Sequence, residues 1–281
     1  MTDAPPPISC LWIAGRLSFL ELLCLTSMHE AGHRVTLWSY EDIPNRPDFA
    51  APADARAILP DDRILTHRRT GSPAPHSDRF RFRLLAARPG TVWADTDAYV
   101  VRALSPEGGR LYGWESPHRV NSGVIALPQG SPALAAIAAF TEDAHPIPPW
   151  FDAAERAALT AARDAGAPVH AADLSWGLWG PQATTYFLAQ SGEIAQALPA
   201  EALYPIAFRD RRALLKPGDA VDRAISGATQ SVHLYGRRIR KRLIEREGGA
   251  PKPDSWMGRM LRRHGIDPRA APIGAMAEAA D

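Results

Sequence analysis

The first forty residues constrain the fold more than any other stretch. Ser9 to Ala14, "SCLWIA", is a short apolar run that reads as a buried strand, and Arg34 to Tyr40, "RVTLWSY", alternates as a second strand should. Between them, "SFLELLCLTSMHEAGH" carries Leu22, Leu25 and Met28, with Leu23 beside them, as a helical stripe. Ser18 with Glu21 three residues on forms a capping box at its start, and Gly32 is placed to stop it. Strand, helix, strand in so short a span is a βαβ unit, and its two strands lie parallel in one sheet.

Residues 41–76 hold six prolines and few periodic apolar positions, so they read as a long surface excursion with a turn of helix near "ADARAIL". "SDRFRFRLLAAR" (77–88) predicts a helix capped by Ser77 and closed by Pro89-Gly90. "TVWA" (91–94), "RLYGWE" and "SGVIAL" read as strands. "SPALAAIAAFTEDA", "FDAAERAALTAARDAG" and "GPQATTYFLAQSG" read as helices, "SVHLY" (231–235) as a last short strand, and a basic helix follows it. From Gly265 the composition turns to alanine and proline, which predicts a frayed tail. The expectation is one α/β domain over 1–264 and a disordered tail over 265–281. The domain has a Rossmann-like, mostly parallel central sheet, flanking helices and a helical insertion.

Composition narrows the function classes. A formal net charge of +1 gives no global field to recruit nucleic acid. Two cysteines, Cys10 and Cys24, both in apolar runs, read as buried thiols of a reducing compartment rather than a disulfide framework. The proline-rich start lacks the pattern of a signal peptide, and no apolar run approaches a bilayer span. A cytoplasmic location is expected.

The chemistry concentrates at "TVWADTDAYV" (91–100), a strand that ends on Asp95 and Asp97 before apolar sequence resumes. Ligands of open α/β sheets bind at the carboxyl ends of strands. Two acids at i and i+2 there offer hard oxygen ligands for Mg²⁺ or Mn²⁺, or simply cap a turn. Upstream, Asp78 and Arg81 lie three apart on one helical face, either as a surface ion pair or as paired acceptor and donor for ligand hydroxyls.

The order of these pieces resembles the DXD-containing glycosyltransferases related to the yeast initiating α-1,6-mannosyltransferase and the bacterial capsular-polysaccharide sugar transferases. The clostridial glucosylating toxins are more distant relatives of the same group. The resemblance rests on "LWIAGRLSFLELLCLTSMHEAGHRVTLWSYE" and "SDRFRFRLLAARPGTVWADTDAYVV", spanning about residues 10–101. "NSGVIALPQGSP", "WGPQATT" and "VHLY" extend it more weakly to about residue 235. Two positions depart from the pattern: Phe80 replaces the usual tyrosine, and Pro89 the first of two glycines.

The resemblance implies a GT-A fold and a nucleotide-diphosphate sugar as donor. It implies Mn²⁺ or Mg²⁺ on Asp97 directly and on Asp95 through water, with Asp95 alternatively on the ribose. Asp78 and Arg81 would hold the donor sugar, Trp12 would lie near the base, and transfer would proceed with retention to a saccharide or lipid-linked acceptor. His233 reads either as a strand histidine or as a C-terminal metal ligand. Asn121 and Ser122 read as a turn or as polar contacts to sugar. Gly180-Pro181 reads as a helix start or part of an acceptor wall, and Trp176 and Trp179 as core or as sugar-stacking faces. His29 and His33 read as surface or helix-end residues. Arg237 to Arg246 sets six basic residues against one acid, a solvated face or a peripheral contact with an anionic membrane at its inner face. Two other readings remain. One is a catalytically silent nucleotide-sugar-binding protein. The other is a phosphotransferase of haloacid-dehalogenase type, disfavoured because Tyr99 stands where that motif wants Thr or Val and because 94 residues precede it.

Overall fold

A computed structural model describes residues 4–13, 15–60 and 63–274. Six strands form the central sheet: β1 (Ile8–Trp12), β2 (Val35–Ser39), β3 (Ala50–Asp54), β4 (Val92–Ala94), β6 (Leu111–Ser116) and β7 (Arg119–Ala126). Their order is β3-β2-β1-β4-β7-β6. β1 runs parallel to both β2 and β4, and β2 to β3, whereas β7 is antiparallel to β4 and to β6. The chain thus winds outward from β1 through β2 and β3, then returns to the other side of β1 with β4. That reversal falls between β1 and β4, whose carboxyl ends are where open α/β sheets place their ligands. A second, two-stranded sheet pairs β5 (Ala98–Val100) antiparallel with β8 (Ser231–His233).

Nine helices are described: α1 (Phe19–Glu30), α2 (Ala74–Ala87), α3 (Pro132–Phe140), α4 (Ala153–Asp164), α5 (Ala183–Gln190), α6 (Ala200–Leu203), α7 (Ala220–Ala224), α8 (Gly236–Arg246) and α9 (Trp256–Arg263). They cover both sheet faces because strand side chains alternate. Ile8, Cys10, Val35, Leu37, Val92 and Ala94 point to one face and pack with Leu20, Leu23, Cys24 and Met28 of α1. Leu11, Trp38, Trp93 and Ile125 point to the other and pack with Phe80, Phe82 and Leu84 of α2 and Leu134 and Ile137 of α3. Cys10 and Cys24 are buried free thiols. α4 is the exception, with no buried residue.

The capping box of α1 forms as its residues predict. At the other end Gly32 takes φ +92°, its amide bonds to the carbonyl of His29, and the amide of His33 bonds to that of Met28, the paired closure of a Schellman motif. His33 is not a surface residue. It is 2% exposed, with Nδ1 2.7 Å from the Pro6 carbonyl and Nε2 accepting from the Leu104 amide at 2.9 Å. His29, on the exposed side, stacks on Phe49 at 4.4 Å.

Three further expectations are corrected. Residues 50–54, "AAPAD", form an edge strand although they lack β-branched residues and contain Pro52; an edge position tolerates that proline. Ser77 is not a cap, because α2 begins at Ala74 and the Ser77 amide already bonds the Pro73 carbonyl. The stretch from 265 to 274 does not fray: the Phe19 amide donates to the Ala271 carbonyl at 2.7 Å, and Ile266 and Ile273 pack against the core. The rest of the expected tail, 275–281, lies outside the described residues, as does Ala14 of the expected first strand. Among the described residues no helix is long and apolar enough to cross a membrane.

Candidate functional site

Asp95 follows the last residue of β4 and Asp97 precedes the first of β5, so the acid pair occupies the turn between the two sheets. The Ala98 amide donates to the Asp95 carbonyl at 2.9 Å, which closes that turn, and the Asp95 amide donates to the Gly123 carbonyl of β7 at 2.7 Å. Both carboxylates keep partial access to solvent, with side-chain exposures of 29% and 22%.

Asp95 is tied to the helix that feeds its strand. Arg81 of α2 donates to Asp95 Oδ1 at 2.6 Å, pairs with Asp78 at 3.0 Å, and donates to the Ser122 hydroxyl. The Trp93 indole N–H donates to the same Asp95 oxygen at 2.8 Å, and the Arg81 guanidinium lies 5.0 Å from the centre of its ring. Asp78 and Arg81 are therefore a buried ion pair, with side chains 9% and 5% exposed, rather than a surface one. Burial pushes the Asp78 carboxyl up to about 7, with Arg81 opposing and Asp95 adding to the rise. Burial raises Asp95 too, against Arg81.

Asp97 is tied to the far end of the chain. The pairing of Ala98 with His233 brings the His233 Nε2 to 3.2 Å from Asp97 Oδ2. The Leu234 amide donates to the Asp97 carbonyl at 2.8 Å, and the Gly236 amide, at the start of α8, to Oδ2 at 2.6 Å. Burial pushes Asp97 upward, but His233 and that amide outweigh it and hold the carboxyl below its ordinary range. Burial likewise opposes the charge on His233, and Asp97 more than compensates, so the imidazole is raised. His233 Nδ1 is buried without a hydrogen-bond partner. Its ring packs on Tyr235 at 4.3 Å and edge-on to Tyr204 at 5.8 Å. Tyr235 holds a left-handed backbone (φ 54°), the one non-glycine with positive φ among the described residues, and it turns the chain from β8 into α8.

A glycine backs each of the three acids. A Cβ on Gly180 would stand 2.7 Å from Asp78 Oδ1, one on Gly236 3.0 Å from Asp97 Oδ2, and one on Gly123 3.1 Å from Asp95 Oδ2. Gly180-Pro181 is thus not a plain helix start. It lies in a π-helical turn (Leu178–Gln182) laid over Asp78, with Gly180 itself out of helical geometry. A small cleft beside Asp78 is lined by His67, Pro75, Trp176, Gly177 and Trp179. Trp176 is 39% exposed and carries Arg237 of α8 over its ring at 5.3 Å, whereas Trp179 is buried.

The remaining expected site residues fall into two places. Asn121 and Ser122 are within β7, not in a turn before it. Asn121 Oδ1 accepts from the Gly123 amide at 2.6 Å, and Ser122 is buried against Arg81. Trp12, at the end of β1, donates to the Gly15 carbonyl at 3.2 Å and lies under Arg240 of α8, at 5.7 Å. Arg240 is itself paired with the buried Glu21 of the α1 capping box. Sequence reasoning left Trp93, Tyr204, Tyr235 and the Gly236 amide without a role. Only Trp93, inside the acid-tipped strand, carried a local signal.

No family model matches the chain, and no curated protein matches it. Among solved structures it is similar to a PaToxG glycosyltransferase, with a TM-score of 0.43 and 13% identity over 69% of this chain and 72% of that one. It is also similar to a mutant transferase, with a TM-score of 0.34 and 14% identity over 60% of this chain and 88% of that one. Likenesses this distant bear on neither substrate nor mechanism.

Proposed function

We propose that this chain is a metal-dependent glycosyltransferase of the GT-A type. It would move a sugar from a nucleotide-diphosphate donor to a saccharide or lipid-linked acceptor, with retention at the anomeric carbon. The observation that carries this reading is the meeting of Asp97, from the DXD turn, with His233, from a strand 136 positions further along, at the edge of the sheet where its winding reverses.

Among the described residues no three His, Cys, Asp or Glu side chains gather to hold a metal by themselves. Asp97 and His233 nevertheless suit Mn²⁺ or Mg²⁺ shared with a ligand. One offers carboxylate oxygen and the other the Nε2 that faces it, on side chains 22% and 15% exposed; a metal there would displace the proton the pair holds, and phosphate oxygens and water complete such a shell. When bound, the metal supplies Lewis-acid stabilisation of the charge that develops on the departing diphosphate. Asp95, already bonded to Arg81 and Trp93, sits beside this pair as a fixed second acceptor for ribose or metal-bound water.

The sugar reading of Asp78 and Arg81 takes a specific form. Arg81 turns its two terminal nitrogens to Asp78, Asp95 and Ser122, so it positions both acids. Asp78, which borders the cleft with Trp176, is the group that would meet a sugar hydroxyl. A carboxyl raised to about 7 donates as well as accepts near neutrality, which suits a hydroxyl partner. The exposed Trp176 supplies an aromatic face beside it.

The test is incubation of the protein with a panel of nucleotide sugars and Mn²⁺, following release of the nucleotide diphosphate. Metal-dependent release that disappears in Asp97→Asn supports transfer chemistry. Binding of a nucleotide sugar with no turnover under any acceptor would return the chain to a silent binding role.

A further inference from the structure

One charged surface plays no part in the chemistry above. An eight-residue segment of tight helix, Phe208–Leu215, shares a groove with α8. Arg211 and Arg212 from that segment, and Arg238, Lys241, Arg242 and Arg246 from α8, line one open groove whose floor includes Ile239 and whose single acid is Glu245. The whole chain has a formal net charge of only +1, so this face is far more basic than the molecule. Internal neutralisation is incomplete. Lys241 pairs with Glu245 at 3.6 Å and Arg242 with Glu247 at 2.9 Å. Among the described residues no carboxylate lies within ion-pair distance of Arg212, Arg238 or Arg246, all of them exposed. Like charges held this close repel unless an external anion joins them.

A second feature is apolar. Three large apolar side chains are exposed among the described residues, and two of them stand on these same segments: Phe208 (45%) and Ile244 (42%). Phe208 is held in place by the Arg211 guanidinium, 4.1 Å above its ring, and by the ring of Tyr235 at 5.4 Å. Ile244 follows Lys241 by three residues and so shares its side of the helix. Cations interspersed with exposed apolar groups suit the boundary between phospholipid headgroups and acyl chains. A single-stranded nucleic acid would want free aromatic faces between the cations. Here Phe208 has one face covered, and Ile244 offers a base nothing to stack on.

We infer that this face docks the protein onto an anionic lipid bilayer. The groove cations meet phosphodiester headgroups, and Phe208 and Ile244 enter the interface. The docking places the candidate site close to the lipid. α8 begins with the Gly236 amide on Asp97, and at roughly 1.5 Å per residue its last turn is about 15 Å away. An acceptor carried on a lipid would then be within reach, a consequence that rests on the transferase reading; the docking itself does not.

Vesicle flotation tests the docking without any donor sugar, so its outcome is separate from that of the activity assay. Phosphatidylcholine vesicles are compared with vesicles containing about 30% phosphatidylglycerol. The protein is expected to float only with the anionic vesicles and to lose at least about tenfold in binding as salt is raised toward 0.5 M. Combining Arg238→Glu, Lys241→Glu and Arg246→Glu should weaken binding at least about tenfold with the melting temperature kept. Phe208→Ser with Ile244→Ser should weaken it while leaving the salt dependence in place. Should the charge-reversed variant fail to fold, Arg238→Gln with Lys241→Gln gives the same reading through a smaller loss. Equal binding to both vesicle types, wild-type binding by the charge variants, or tighter retention of a single-stranded RNA than of anionic vesicles at the same salt each overturns the inference.

Discussion

The imidazole of His233 stands 3.2 Å from the carboxylate of Asp97, although 136 positions of sequence separate the two. The antiparallel pairing of β5 with β8 makes that contact, and the Gly236 amide completes it from a residue 139 positions away from Asp97.

On the metal-dependent reading, Asp97→Asn removes a carboxylate charge offered to the metal and almost no volume. Turnover with a nucleotide sugar and Mn²⁺ should fall at least about a hundredfold, in line with the several kcal/mol a metal contributes to a transition state. The melting temperature should change little, because the amide still accepts from Gly236. Turnover like that of the wild type, or full activity in excess chelator, would sink the metal clamp.

His233→Ala separates a ligand from a packed ring. If the imidazole binds metal, the Mn²⁺ concentration for half-maximal activity should rise at least about tenfold. The preference for Mn²⁺ over Mg²⁺ should narrow, since nitrogen ligands favour the transition metal. A lowered melting temperature with an unshifted Mn²⁺ curve would assign the ring to packing against Tyr235 and Tyr204 and to its contact with Asp97.

Arg81→Ala leaves Asp78 and Asp95 without their shared cation. Breaking one partner out of a buried pair costs about 3–5 kcal/mol, so the denaturant midpoint should drop sharply. Arg81→Lys should recover only part of this, because one ammonium cannot span Asp78, Asp95 and Ser122 as a guanidinium fork does. An unchanged midpoint for both variants would show that the two acids find other partners.

Gly180→Ala places a methyl group where the Asp78 carboxylate now stands. The expected cost in stability is about 1–3 kcal/mol. The larger effect should be on ligand. Affinity for an intact nucleotide sugar should fall, while that for the bare nucleotide diphosphate holds, as titration calorimetry with both ligands would read. Equal losses would detach Asp78 from the sugar.

His33 should make the fold sensitive to mild acid. Burial holds its imidazole below the ordinary value of 6.5, against the Pro6 carbonyl, which raises it. Above pH 6.5 both folded and unfolded chains keep the ring neutral. Below it the unfolded chain takes up the proton first, so stability falls as pH drops from about 6.5 until the folded value is passed. Melting temperatures at a series of pH values should show this slope, and His33→Gln should flatten it between pH 6.5 and 5 even if it lowers the curve as a whole. An equal slope in the variant would assign the effect to other groups.

What the sequence determined by itself is what depends on neighbours along the chain. The capping box of Ser18 and Glu21, the stop at Gly32, the alternation of 34–40 and the acids at the end of 91–94 are local patterns, and each forms where its residues predict. From them follow the βαβ start, the parallel core of the sheet and the position of the acid pair at strand ends. Where local propensity and tertiary position disagree, the sequence misleads. "AAPAD" pairs as an edge strand only because β2 presents a free edge, and His33 is buried only because Pro6 and Leu104 converge on it. Tertiary structure alone decided the rest of the site. Arg81 turns inward because two acids and a hydroxyl from three different elements meet around it. The basic residues of α8 are divided by packing: Arg237 and Arg240 face Trp176 and Trp12, while Arg238, Lys241 and Arg246 face out. Gly123 reads as a strand residue and Gly180 as a helix start, Gly236 carries no local signal, and only the fold sets a carboxylate against each. Such contacts join segments far apart in the chain, and no local propensity encodes the register of two strands that meet only after the sheet has closed around them.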